Sequence, residues 1–128
     1  MEKPLVLIVE DNKINALVLK KAIDKVCQPE HVINDQQTFS VTKERSFSLI
    51  LMDINLGGNS MDGEAIMKEL RADPRYEDTP IFAVTSYAMP GDKERFLEAG
   101  FDSYFSKPID KTAILEGVQR ILSALPSA

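Results

Sequence analysis

Short apolar runs alternate with segments of helical spacing along the whole chain, and this alternation limits the fold more than any other feature. Apolar runs with strand character lie at residues 5–9, 31–33, 49–52, 81–84 and 101–105. Strict alternation of five strands and five helices predicts a parallel sheet covered by helices on both faces. Because crossovers between parallel strands are right-handed, only a few doubly wound strand orders are possible.

The segments between the runs place their apolar residues on one helical face. These faces comprise Ala16, Leu19, Ile23 and Val26, then Ile66, Met67 and Leu70, and finally Ile114, Val118, Ile121 and Leu125. Helix starts are marked by Asp62-Gly63 for the third helix, Pro90-Gly91 for the fourth and Asp110 for the fifth. The second helix, at residues 36–45, has the weakest pattern, since Phe39 and Val41 are its large apolar anchors.

Length, charge and cysteine content exclude several classes of protein. The chain has 128 residues and a net charge of −5, and its Lys and Arg residues are scattered. One domain without a nucleic-acid surface is therefore expected. Cys27 is the single cysteine, so we expect a buried structural residue rather than a disulfide or a metal ligand. With no signal-like or membrane-spanning apolar segment, we expect a single cytoplasmic domain over residues 1–128 that binds no membrane.

Polar residues follow the predicted strands at the points where these strands end. Glu10 and Asp11 follow the first strand, Asp53 the third, Thr85 the fourth and Lys107 the fifth. Each alone has an ordinary structural explanation, such as a helix cap, a turn or a surface lysine. Together they would meet at one edge of a parallel sheet, where such folds bind their ligands.

The residue types at this edge indicate chemistry with a metal and a phosphoryl group. Three neighbouring carboxylates repel unless a cation lies between them, and an all-oxygen ligand set suits Mg²⁺. Lys107 is a point charge suited to a phosphoryl oxygen, and Thr85 can donate a hydrogen bond to another. Asp53 would be the carboxylate that attacks phosphorus, while metal, lysine and hydroxyl neutralise the developing charge.

At this point the sequence resembles the receiver domain of two-component response regulators over essentially its whole length, and in particular standalone receivers and those of hybrid histidine kinases. The matching stretches are VLIVEDN, LILMDINL, MDGEAIMKELR, IFAVTSYAM and AGFDSYFSKPI. The resemblance implies a flavodoxin-like fold with strand order 2-1-3-4-5, and a cis bond before Pro108. It also implies that the phosphoryl donor is a phosphohistidine on a sensor histidine kinase or a histidine phosphotransfer protein.

The resemblance further assigns roles to individual residues. It makes Asp53 the phosphoacceptor, and Glu10, Asp11, Asp53 and the backbone carbonyl of Asn55 the Mg²⁺ ligands. Thr85 and Lys107 match the hydroxyl and the lysine that contact the phosphoryl group, and Tyr104 matches an aromatic switch residue. The signal is then expected to reach a protein partner at the surface of the fourth helix, fifth strand and fifth helix, with Tyr87, Met89 and Phe96 as candidate contacts.

One stretch departs from the family pattern. In DINLGGNSMDG, Gly57-Gly58 stands where the family usually has Met-Pro, and the loop is about two residues longer. Because glycine adds backbone freedom, a more mobile loop beside the site is expected, with consequences for phosphorylation lifetime and for recognition of the kinase.

Three other functions are compatible with parts of the pattern. A haloacid-dehalogenase-like phosphatase also uses a strand-end Asp, but its general acid two residues later would here be Asn55, a poor acid. A flavin carrier of this fold would need a phosphate loop where the chain has EDNKIN. A pseudo-receiver that only binds a partner would not need the complete acceptor set.

Overall fold

Parallel strands form the centre of the molecule, as the alternation predicts. The computed structural model describes residues 3–86 and 89–124, and within these the elements are β1 (Leu5–Val9), α1 (Lys13–Ile23), β2 (Gln28–Val32), α2 (Asp35–Glu44), β3 (Leu49–Asp53), α3 (Gly63–Arg71), β4 (Ile81–Thr85), α4 (Asp92–Ala99), β5 (Ser103–Ser106) and α5 (Lys111–Ser123). Strand pairs are parallel in the order β2-β1-β3-β4-β5. The flavodoxin-like order expected from the resemblance is confirmed.

The two faces of the sheet bury separate apolar clusters. One cluster contains Leu7 and Met52 with residues of α3 and α4, including Ile66 and Phe96. The cluster on the other face joins strand residues such as Ile8 to α1 and α5. All residues of β3 and β4 are buried, and all except the last residue of each are apolar without alternation, as is typical of central parallel strands.

Helix starts follow the expected caps. The side chains of Asp62 and Asp110 accept hydrogen bonds from the backbone N–H groups of Ala65 and Ala113. Asn12, rather than Asp11, caps α1, since its side chain accepts from the N–H of Asn15. The side chain of Asp11 therefore does not cap this helix.

The edge strands differ from the expected boundaries. β2 begins at Gln28 instead of His31, because β1 supplies pairing partners for Gln28 and Pro29, although Gln28 is polar and Pro29 has no N–H to donate. Proline is tolerated there because β2 lies at the sheet edge. β5 begins at Ser103 instead of Phe101, since the N–H of Phe101 donates to the carbonyl of Phe96 and closes the end of α4.

Near the end of α1, the expectation for Cys27 is confirmed, whereas the expectation that Val26 belongs to the helix is wrong. Cys27 is buried, and its thiol donates to the carbonyl of Ile23 at the end of α1. Val26 lies beyond α1, which ends at Ile23, but still packs against the core. Among the described residues, none of the helices is both long and apolar enough to cross a bilayer.

Candidate functional site

The carboxyl ends of four strands bring the polar residues to one edge of the sheet. Glu10 directly follows β1, Asp53 and Thr85 are the last residues of β3 and β4, and Lys107 directly follows β5. The register aligns Asp53 with Val84 and Thr85 with Ser106, so these residues lie at the same level of the sheet. Each side chain is therefore positioned at or directly after the end of a strand.

Three carboxylates meet at this edge. One oxygen each of Glu10, Asp11 and Asp53 lies within 4.8 Å of the other two. Glu10 and Asp53 are only 1% and 4% exposed, whereas Asp11 is open to solvent. Like charges this close raise the free energy of the ionised state, and burial makes the repulsion stronger.

Lys107 supplies positive charge to the two buried carboxylates. Its Nζ lies 2.7 Å from Oε1 of Glu10 and 3.2 Å from Oδ2 of Asp53. Its backbone N–H donates to the carbonyl of Thr85 at 2.8 Å, which joins the two strand ends. The Lys107-Pro108 peptide bond is cis, as the resemblance implies.

The environment of this cluster changes the proton affinity of its members. Burial, opposed by the contacts with Lys107 and with the N–H of Asn12, raises the pKa of Glu10 from 4.5 to about 7. For Lys107, burial disfavours the charged form, but the contacts with Glu10 and Asp53 outweigh it and raise the pKa. One ammonium thus compensates only part of the negative charge.

The donor set of the cluster fits a hard divalent cation. Oε1 of Glu10 is buried, and the Lys107 ammonium is its partner in a charged contact. Three converging carboxylates that share one ammonium form an environment that a Mg²⁺ ion would complete. The backbone N–H of Asn55 donates to Oδ1 of Asp53 at 3.3 Å. That the Asn55 carbonyl binds the metal stays a prediction.

Gly63 is a site residue that sequence reasoning missed. A Cβ atom at this position would lie 2.1 Å from the carbonyl oxygen of Asp53, and the Gly63 N–H donates to the carbonyl of Ile54. The first turn of α3 therefore packs directly against the backbone that carries Asp53. In the sequence, the pair Asp62-Gly63 indicates only a helix start, because a close approach of two backbones leaves no other sequence signal.

His31 is a second neighbour that the sequence did not indicate. Its Nε2 lies 2.6 Å from the backbone carbonyl of Glu10, so the ring connects β2 to the end of β1. A lone histidine in an edge strand has no pattern that would reveal such a contact.

Tyr104 belongs to β5 and contacts α4. Its ring is half-buried and stacks on the ring of Phe96, with centroids 6.0 Å apart and planes at 16°. Burial raises the pKa of the Tyr104 hydroxyl, and Asp92 acts in the same direction. Of the candidate surface contacts, Met89 is 71% exposed, Phe96 is completely buried and belongs to the core, and Tyr87 lies outside the described residues.

The fold and the strand-end site together define a class of protein. Residues 6–119 match the family model described as the response regulator receiver domain, and this chain belongs to that family. The polar-differentiation response regulator DivK of Brucella anthropi is 33% identical over 118 residues, which are 91% of this chain and 94% of that protein.

Solved structures of receiver domains are similar throughout. The signal receiver domain of a signal transduction histidine kinase from Syntrophus aciditrophicus has a TM-score of 0.85 at 29% identity, with 98% of this chain and 94% of that chain covered. The receiver domain of a sensor histidine kinase from Pseudomonas aeruginosa PAO1 has a TM-score of 0.83 at 28% identity, with 95% and 99% covered. That structure has a magnesium ion coordinated in the active site cleft.

Proposed function

We propose that this receiver domain accepts a phosphoryl group on Asp53. The observation that carries the proposal is the position of Lys107, whose ammonium contacts both Asp53 and Glu10 at an edge where three carboxylates converge. A buried carboxylate with a cation on one side and metal-binding oxygens on the other is suited to phosphoryl transfer.

In the proposed transfer, an Asp53 oxygen forms a bond to phosphorus while the N–P bond of a phosphohistidine breaks. The electron pair of that bond stays on the imidazole nitrogen, which takes up a proton, and the product is an aspartyl phosphate. Lys107 and the Thr85 hydroxyl bind oxygens of the transferred group, whose charge would otherwise face a buried carboxylate.

The same edge is the proposed Mg²⁺ site. Glu10, Asp11, Asp53 and the backbone carbonyl of Asn55 would hold the ion, and solvent would complete its octahedral coordination. A bound Mg²⁺ neutralises charge on the phosphoryl oxygens and on the three carboxylates. The magnesium ion in the related Pseudomonas aeruginosa receiver supports this assignment.

Family membership supports a phosphohistidine donor on a sensor histidine kinase or a histidine phosphotransfer protein. The signal would leave through Thr85 and Tyr104 to a protein partner at the surface formed by α4, β5 and α5. The Phe96–Tyr104 stack supports this direction, because it couples the switch residue of β5 to α4. The domain would not turn over a substrate, since its chemistry consists of its own phosphorylation and dephosphorylation.

The experiment that tests this proposal is phosphorylation by a small acyl phosphate with Mg²⁺, followed by analysis of the bond formed. We expect one phosphoryl group per chain, stable in acid and lost in base or hydroxylamine, as an acyl phosphate should be. Chelation of Mg²⁺ should prevent the reaction. A base-stable product would be a phosphoester of a hydroxyl side chain, and would refute the assignment to a carboxylate.

A further inference from the structure

The loop that connects β3 to α3 makes a direct contact with the metal-binding cluster. The N–H of Gly57 donates to Oδ2 of Asp11 at 2.9 Å. Leu56, the preceding residue, is buried in the core and anchors the start of the loop. A Cβ atom on Gly57 would lie only 3.1 Å from the same Asp11 oxygen, so a glycine allows this close approach.

The other end of the loop is tied to the start of α2 by a ring of three hydrogen bonds. The N–H of Asp35 donates to Oγ of Ser60 at 3.1 Å, and that hydroxyl donates to the carbonyl of Met61 at 2.8 Å. The N–H of Met61 donates to Oδ2 of Asp35 at 3.2 Å. The ring therefore joins Asp35, Ser60 and Met61 across two segments that are distant in sequence.

Between these two anchors the loop is short. Only Gly57, Gly58 and Asn59 separate the buried Leu56 from Ser60, and Gly58 uses a φ of 69° that favours glycine. Loss of the ring would release one end of a short turn and let the Gly57 N–H move away from Asp11.

Asp11 needs such a partner because of its charge and exposure. It is open to solvent and lies beside two buried carboxylates that repel it. Without a donor on the loop, its side chain would lower its energy by rotating into water. A charge-assisted hydrogen bond from Gly57 opposes this rotation and keeps the carboxylate in the ligand set.

We propose that Ser60 and Asp35 are positioning residues for Mg²⁺ binding, acting through the loop and Gly57 on Asp11. This inference rests on the proposed metal site. Ser60 and Asp35 are not among the proposed metal ligands or the proposed phosphoryl-binding groups. Their role is to hold the Asp11 carboxylate in place before the ion binds. The glycines of this longer loop predict mobility, whereas under this proposal the loop holds the Asp11 side chain in position.

The test measures Mg²⁺ affinity by calorimetric titration of the unphosphorylated protein. Ser60→Ala removes the hydroxyl without changing charge, and we expect Mg²⁺ binding to be about three- to tenfold weaker. This is less than the roughly 10–100-fold loss that is typical when a residue in direct contact with a metal-binding side chain is replaced. Asp35→Asn should act in the same direction, because an amide has one acceptor oxygen where the carboxylate has two. Ser60→Thr keeps the hydroxyl beside an open groove of about 450 Å³ and should retain wild-type affinity.

The matched control for charge is Asp62→Asn. Asp62 is an exposed carboxylate at the end of the same loop that caps α3, and Asn is as good a cap. We expect less than about a twofold change in Mg²⁺ affinity for it. A second measurement separates a positioning role from a general loss of function. In Ser60→Ala the Mg²⁺ concentration that gives half the maximal phosphorylation rate should rise, while the rate at saturating Mg²⁺ should equal that of the wild type.

The outcomes distinguish this inference from the proposed function. If the wild-type protein binds Mg²⁺ and both Ser60→Ala and Asp35→Asn bind it equally well, the positioning role is wrong and the metal site stands. If Ser60→Ala lowers the rate even at saturating Mg²⁺ without changing the half-saturating concentration, the role is also wrong. A wild-type protein that binds no Mg²⁺ overturns the proposed function and this inference together.

Discussion

Glu10 is the residue whose chemistry depends most on its surroundings. Its carboxyl is 1% exposed and its pKa is raised to about 7. A group that binds its proton more tightly in the folded state stabilises the fold as pH falls below that value. The metal-free protein should therefore become more stable as the pH falls from about 7 to 4.5, the ordinary pKa of a glutamate side chain.

We predict that this gain is about 1–3 kcal/mol and that it belongs to Glu10. Urea unfolding of metal-free protein at several pH values in this range, for wild type and Glu10→Gln, measures it. The Gln variant keeps the side-chain size but does not titrate, so most of the pH dependence should disappear. An equal pH dependence in both proteins would show that other groups cause it.

Asp11 should have opposite effects on metal binding and on stability. Asp11→Asn removes one ligand charge, and we expect about tenfold weaker Mg²⁺ binding or more. The same change relieves repulsion with Glu10 and Asp53, so the metal-free protein should be more stable than wild type. Calorimetric Mg²⁺ titration and the urea midpoint test both effects. Unchanged Mg²⁺ affinity would remove Asp11 from the ligand set.

Among the elements, the contact between α3 and β3 determines where Asp53 lies. Gly63→Ala would force a Cβ atom against the Asp53 carbonyl, which is 2.1 Å from the ideal Cβ position. Since both partners are backbone, we expect a loss of about 2–4 kcal/mol in the free energy of unfolding. Urea denaturation measures this loss.

The control for this prediction is the next residue in α3. Glu64→Ala removes ion pairs with Lys68 and Arg95 that are open to solvent, so its cost should be below about 1 kcal/mol. If the two variants were equally stable, the proposed close packing of Gly63 on β3 would be incorrect.

The coupling between β4, β5 and α4 gives a prediction for the switch. If phosphorylation acts through Thr85 and Tyr104, NMR shifts of α4 and α5 should change when a phosphate mimic is added to wild type, and much less in Thr85→Ala. The Phe96–Tyr104 stack explains why α4 should respond. A modest shift of a conformational equilibrium is expected, because a ligand biases two states only by its differential affinity. Equal large changes in both proteins would exclude this coupling.

Some elements were predictable and others were not, for identifiable reasons. β3 and β4 were evident because buried parallel strands are continuous apolar runs. The start of β2 was not, since Gln28 and Pro29 take part only through pairing with β1. The contacts of Arg71 could not be predicted either. Its guanidinium donates to Asp102 and to the backbone carbonyls of Tyr76, Glu77, Thr79 and Gly100. Because every residue has a backbone carbonyl, the sequence does not show which of them a side chain contacts.

At the scale of the whole molecule, the topology explains why the site could be predicted at all. Parallel strands bring their carboxyl ends to one edge, so residues that follow separate apolar runs meet there. Contacts between loops lack such a rule. The hydrogen bond from the N–H of Asp35 to Oγ of Ser60 joins residues 25 positions apart. Neither hydrophobic periodicity nor a helix-capping pattern predicts that these two residues are in contact.

Asp53 is the residue that we propose as the single phosphoacceptor of this domain. Intact-mass analysis after treatment with a small acyl phosphate and Mg²⁺ tests this most directly, for wild type, Asp53→Asn and the control Asp62→Asn. We predict one added phosphoryl group in wild type and in Asp62→Asn, and none in Asp53→Asn with its fold intact by circular dichroism. Equal incorporation in wild type and Asp53→Asn would contradict the claim.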